Sequence, residues 1–223
     1  MSELLTQSTQ DYLKQIYELT EKGEPTNTTN LAARLSVTPA SVSEMLNRMT
    51  ASHPPLVIHK KYQGVLLTEE GKHAALVVIR RHRLLETFLV QMLGYPWDRI
   101  HEEACRLEHV ISQEFETRMA VMMHNPQYTP HGDPIPSEDM ILPAQDTRPL
   151  SALRKGEVAI VQRVLDDDSA LLRYLDEIGV VPDAQVTVQA YSELDDNLTL
   201  HVKGKSGPVI LGTKITAKVF VAP

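Results

Sequence analysis

His82, Glu86, His101, Cys105, Glu108 and His109 put six side chains able to bind a metal within 28 residues. Imidazole, carboxylate and thiolate together suit a first-row divalent ion of intermediate softness, such as iron, manganese, zinc or cobalt, whereas calcium and magnesium prefer oxygen ligands alone. The segments that carry them read as helices, on which residues three and four apart share a face. His82 is then predicted to project with Glu86, and His101 with Cys105, Glu108 and His109. Any single member of the set is ordinarily a solvated charge or a small packed thiol. The ensemble argues for a site, because three of the nine histidines coincide with the only cysteine at helical spacing.

A chain of 223 residues with 42% hydrophobic composition is long enough for two or three small domains to hold these ligands. No apolar run approaches the roughly 20 residues of a membrane span, and the start MSELLTQSTQDYLKQ lacks the basic and apolar regions of a signal peptide. A cytoplasmic protein without a membrane partner is expected. One cysteine cannot staple the fold, so Cys105 is a packed thiol in a reducing compartment or a ligand. The net charge of −7 conceals an asymmetry: residues 1–81 carry nine Lys/Arg against eight Asp/Glu, and residues 82–223 carry thirteen against twenty-one. The relatively basic first third, with His59, Lys60, Lys61, Lys72, Arg80, Arg81 and Arg83 close in sequence, is where phosphate would be met.

Residues 8–21 read as an amphipathic helix with Tyr12, Leu13, Ile16, Tyr17 and Leu19 on its apolar side, ended by Gly23 and Pro25. Thr29–Leu35 is a second short helix. After Ser36-Val37-Thr38, Thr38 can cap a third helix that Pro39 opens and that runs to about Ala51. Two helices joined by so short a turn form a helix-turn-helix, whose second member can enter the DNA major groove. Thr38, Pro39, Ala40, Ser41, Ser43 and Glu44 make its leading face toward bases and phosphate; Val42, Met45, Leu46 and Met49 face inward. Leu56–His59 and Val65–Leu67 are predicted strands of a hairpin tipped by Lys60 and Lys61, the wing of a winged helix.

A long helix is expected from about Thr68 to Leu93, stopped by Gly94-Tyr95-Pro96, and another from about Arg99 to Met123, with Asp98 as its cap. Residues 125–150 hold six of the fourteen prolines and read as a linker. Beyond Ser151 come short β-rich runs, Val158–Val164, Gln185–Ala190, Leu198–Val202, Val209–Leu211 and Ala217–Val221, with a helix at Leu171–Ile178. The expectation is an α+β multidomain chain. Residues 1–73 form a winged helix-turn-helix DNA-binding domain, 74–124 a helical metal-binding and dimerisation domain, 125–150 a proline-rich linker, and 151–223 a small β-barrel. A symmetric homodimer would match a palindromic double-stranded operator.

These residues resemble the metal-dependent repressors typified by the diphtheria toxin repressor and the manganese transport regulator, over nearly the whole chain. Asp11-Tyr12-Leu13 with Ile16-Tyr17-Glu18-Leu19 is similar to the family's first helix. Arg81-His82-Arg83-Leu84 and the run from His101 to His109 are similar to its ligand-bearing helices, and Pro130 to Pro136 to its interdomain signature. The end of the chain resembles an SH3-like domain also found in ferrous-iron transport proteins. The resemblance implies a primary site of Asp11, Cys105, Glu108 and His109 and an ancillary site of His82, Glu86 and His101, to which Asp167 or Asp168 could add. It implies a repressor of metal uptake genes. By the same resemblance, aspartate at position 11 is the residue of some manganese-responsive members and cysteine at 105 that of iron-responsive ones, and Lys14 replaces a glutamate that helps hold a second manganese in the former. Mn²⁺ is thus slightly favoured over Fe²⁺, with Zn²⁺ or Co²⁺ possible in vitro. Two rivals remain at this level: a metalloenzyme, for which HExxH, a nucleophile elbow and a phosphate-binding glycine loop are missing, and a metal-independent winged-helix regulator.

Overall fold

A computed structural model describes residues 5–21, 23–60, 63–165 and 168–223. Lys61 and Tyr62 of the wing and Asp167 lie outside the described residues. The chain divides into two compact units: the described part of Met1–His82 with Glu108–Ile111 and Pro136–Ile141, and Arg83–Leu107 with Ser112–Ile135 and Leu142–Pro223.

The first unit opens with α1 (Gln7–Thr20), α2 (Thr28–Leu35) and α3 (Pro39–Ala51), each begun by a side-chain cap. Thr6, Asn27 and Thr38 accept from the backbone N–H three residues on, satisfying donors that a helix start leaves unpaired. Ser36 ends α2 in the left-handed region (φ 54°), and its N–H returns to the α2 carbonyls, so the chain reverses within Ser36-Val37-Thr38. β1 (Val57–Lys60) and β2 (Gly64–Leu67) pair antiparallel as a hairpin, and Thr26 bridges Val65 to extend it. Leu13, Ile16, Leu31, Val42, Leu46, Val57 and Val65 share one core, so the pitch of α3 is set by α1 and the hairpin together. Thr68 accepts from Gly71 N (3.0 Å) and starts α4 (Glu69–Leu93).

One expected helix is two. In place of a continuous segment from Arg99 to Met123, α5 (Ile100–Leu107) stops after two turns, residues 108–110 form a turn, and α6 (Gln113–Met122) begins afresh on a Ser112 cap that accepts from Phe115 N (3.1 Å). The physical reason is local: two β-branched residues, Val110 and Ile111, precede a serine that offers the backbone a better start than a continuation. Asp98 lies two residues before α5, and its carboxylate accepts from Arg173 (2.9 Å).

In the second unit, β3 (Arg148–Pro149), β4 (Val158–Val164), β5 (Gln185–Ser192), β6 (Asn197–Val202), β7 (Val209–Leu211) and β8 (Val219–Ala222) form one antiparallel sheet in the order β3-β8-β4-β5-β6-β7. Bulges between Val161 and Arg163 and between Val188 and Ala190 bend it around a core that α7 (Ser169–Ile178) closes with Leu171, Leu172 and Leu175; the short α8 (Thr213–Thr216) precedes β8. This is the SH3-like module.

The proline-rich stretch before it is packed rather than loose. His131 is fully buried, stacks at 5.3 Å on Trp97 and accepts at its carbonyl from Val164 N (2.8 Å). Asp133 faces Arg163 (3.4 Å), while Arg83 donates to the Pro134 carbonyl (2.5 Å). Gly132 sits at φ +89°, where a Cβ would lie 1.8 Å from the Gln162 carbonyl oxygen. Gly132→Ala is therefore expected to destabilise the full chain by about 3 kcal/mol, through both the backbone conformation and the clash. Thermal unfolding followed by circular dichroism checks this; an unchanged midpoint would show that the turn can leave β4 freely.

Candidate metal centre

Asp11, Glu108 and His109 converge, with one potential ligand atom from each within 4.8 Å of the others. Asp11 comes from the second turn of α1, and Glu108 and His109 from the turn after α5. Had the helix continued, as the spacing predicted, His109 and Glu108 would have followed the α5 face; the break frees them from it.

Each ligand is oriented by a neighbour. His109 Nε2 is 3.0 Å from Asp11 Oδ1, and its Nδ1 lies 2.8 Å from Gln10 Oε1. Gln10 Nε2 donates to the Leu5 carbonyl (2.9 Å), which turns Oε1 toward the imidazole and assigns the proton to Nδ1. Nε2 is thereby the nitrogen turned toward Asp11 and Glu108 and would be the one to ligate a metal there, the arrangement by which an outer partner fixes a ligating histidine. Glu108 is 2% exposed and meets Lys14 Nζ at 2.9 and 3.3 Å, His109 Nε2 at 3.4 Å, and His82 Nδ1 in a short contact. Burial alone would raise its carboxyl, but His82 and Lys14 outweigh that and hold it below the ordinary carboxylate value. Asp11 goes the other way: although its side chain is 39% exposed, desolvation is the largest influence and lifts its carboxyl, against the pull of His109.

Two carboxylates and one imidazole turned toward them through Nε2 are a hard-to-intermediate donor set, which fits a divalent first-row ion. In the second unit, His101 and Cys105 lie on α5 with Nε2 and Sγ 3.6 Å apart, and His101 Nδ1 is 3.4 Å from Glu86. His82 belongs to the first unit, in contact with Glu108. Asp168 is committed to capping α7, its Oδ1 accepting from Ala170 N and Leu171 N. Sequence reasoning missed Gln10 entirely and saw Lys14 only as a replacement, since neither is a ligand type and their partners are 99 and 94 residues away.

Thr38, which caps α3, and Pro39, Ala40, Ser41 and Glu44 on it are exposed, and Lys60 is exposed at the end of β1; Ser43 is half-buried, and its hydroxyl donates to the Pro39 carbonyl (2.9 Å). A winged helix with an open leading face, whose first helix carries one of a group of side chains able to hold a metal, defines a metal-responsive DNA-binding regulator.

The comparisons agree. Residues 4–65 match the family described as "Iron dependent repressor, N-terminal DNA binding domain", residues 68–137 "Iron dependent repressor, metal binding and dimerisation domain", and residues 148–223 "FeoA domain". The iron-dependent repressor IdeR of Mycobacterium tuberculosis is 36% identical over 83% of this chain and 85% of its own length. A manganese-dependent transcriptional repressor solved in complex with manganese is 37% identical, covers 96% of this chain and 99% of its own, and superimposes with a TM-score of 0.87. ScaR with bound Zn²⁺ is 32% identical over 96% and 98%, with a TM-score of 0.80. The chain belongs to the iron-dependent repressor family of metal-dependent, DNA-binding transcription repressors.

Proposed function

We propose that the chain is a homodimeric repressor of metal uptake genes, cytoplasmic and activated for binding a palindromic operator by Mn²⁺ or Fe²⁺. The observation that carries this reading is the convergence of Asp11 with Glu108 and His109. These three residues would hold the ion, which supplies charge neutralisation and a fixed coordination geometry when bound. Drawing Asp11 to the 108–109 turn fixes α1, and Leu13 and Ile16 of α1 share their core with Leu31, Val42 and Leu46 of the reading helices. The pose of α3 is thereby tied to the site. Thr38, Pro39, Ala40, Ser41, Ser43 and Glu44 would face the groove while Lys60 and Lys61 meet phosphate.

Exposed apolar side chains at the end of α4 and on α6, including Met92, Leu93, Phe115, Val121 and Met122, support pairing with a second copy. Two copies would set their recognition helices about 34–36 Å apart, one turn of DNA. Residues 1–73, 74–124, 125–150 and 151–223 are assigned to DNA reading, metal binding with dimerisation, connection and the SH3-like module. His82, Glu86, His101 and Cys105 are assigned as further ligands. No helix among the described residues is long and apolar enough to cross a membrane.

Operator affinity measured against buffered Mn²⁺ and Fe²⁺, anaerobically, tests the reading. Chelated protein should bind weakly and either ion should restore binding, whereas His109→Ala should need about tenfold more metal or greater. Equal operator affinity with and without metal in the wild-type protein would leave a metal-independent regulator.

Metal choice rests on Asp11, a hard oxygen where a thioether would select softer ions, and Mn²⁺ is slightly favoured. Asp11→Met should shift activation toward Fe²⁺, and Cys105→Ala should retain much of the Mn²⁺ response because a backbone carbonyl survives at that position. An unchanged metal preference in Asp11→Met, or loss of Mn²⁺ activation in a folded Cys105→Ala protein, refutes the assignment.

Lys60→Ala should weaken binding to all DNA sequences alike and reduce the logarithmic salt slope by about 1, since its role is to neutralise phosphate. A slope that stays at the wild-type value would remove the wing from the interface.

A further inference from the structure

Lys14 is a strongly basic side chain built into the ligand cluster, and it is 5% exposed. It stands three residues after Asp11, so α1 presents a carboxylate and an ammonium on the same face, one turn apart. Its Nζ reaches both oxygens of Glu108, at 2.9 and 3.3 Å. Glu108 therefore already has a cation across both oxygens of its carboxylate.

The charge balance gives this contact a consequence. Asp11, Glu108 and Lys14 together carry a single negative charge, and a divalent ion added to them would turn it into a single positive one. Without the ammonium, two carboxylates would be neutralised by the ion outright. Buried charges interact far more strongly than solvated ones, so an ammonium beside Glu108 must either withdraw or remain in repulsion with the incoming ion.

We propose that Lys14 is a resident competitor for Glu108 that sets the metal concentration at which the site fills. In the metal-free state it stabilises the buried carboxylate, and its displacement is charged against metal binding. This rests on the metal-responsive reading above. A merely structural Lys14 would make a different prediction: its loss would weaken the fold and the metal site together. A competitor must move the two in opposite directions.

The experiment is Mn²⁺ binding to the full chain, followed by the electron paramagnetic resonance of free Mn²⁺, in wild type, Lys14→Met, Lys14→Gln and Lys14→Arg, with thermal unfolding of each metal-free protein. Lys14→Met and Lys14→Gln are expected to bind Mn²⁺ about tenfold more tightly or better, about 1.4 kcal/mol at the lower bound, and to melt earlier without metal. Lys14→Arg keeps the charge and should stay near wild type. Lys14→Gln retains a hydrogen-bond donor to Glu108 and so serves if Lys14→Met does not fold without metal. Unchanged or weaker Mn²⁺ binding by folded Lys14→Gln overturns the proposal, as does Lys14→Arg matching the neutral variants. Failure of the wild-type protein to bind Mn²⁺ or Fe²⁺ would instead remove the metal-responsive reading itself.

Discussion

A carboxylate at 2% exposure must be compensated, and three polar residues of the first unit are gathered around Glu108 to do so. Lys14 reaches it from α1, His82 from α4 and His109 from the neighbouring position in the chain. Segments far apart in sequence thereby meet on one charge. Because α1 also supplies Leu13 and Ile16 to the core beneath the recognition helix, anything that changes how Glu108 is satisfied acts on the element that carries α3. Electrostatics at one residue and the packing of the DNA-reading face are one problem for this fold.

The winged helix was legible because its signals are local. Thr38 followed by Pro39 announced the start of α3, the inward residues Val42, Met45, Leu46 and Met49 are all buried, and the strands around Gly64 fell within a residue of their observed positions. Strands β4 and β7 were readable to the residue, for they are short runs rich in β-branched residues and are bounded by turns. The break after α5 was not read. No proline or glycine marks it, and a capping serine after two β-branched residues is a quieter signal than the run of helix formers before it.

The metal cluster divides along the same line. Ligand types singled out His82, Glu86, His101, Cys105, Glu108 and His109 as candidates, while Asp11 entered only through the family resemblance, because nothing in its own neighbourhood distinguishes it from a solvated helix carboxylate. Gln10 and Lys14 illustrate the remaining gap. Their importance lies in what they touch across nearly a hundred residues, and local periodicity carries no record of such contacts. The proline-rich stretch shows a related limit: composition predicts irregular backbone, which it has, but is silent on whether that backbone is buried, as His131 and Ile135 are.

The strand order of the SH3-like sheet bears on how the protein comes to be folded. β4, β5, β6 and β7 pair as sequence neighbours, but β8 has to return to lie between β3 and β4. The winged helix needs only short loop closures, whereas the sheet cannot be completed until its last strand has been made and brought back across the full span of the module. During synthesis the DNA-reading half can thus acquire its structure while β4 still presents an unpaired edge. That interval is when a nascent chain of this kind is most exposed to mispairing with another.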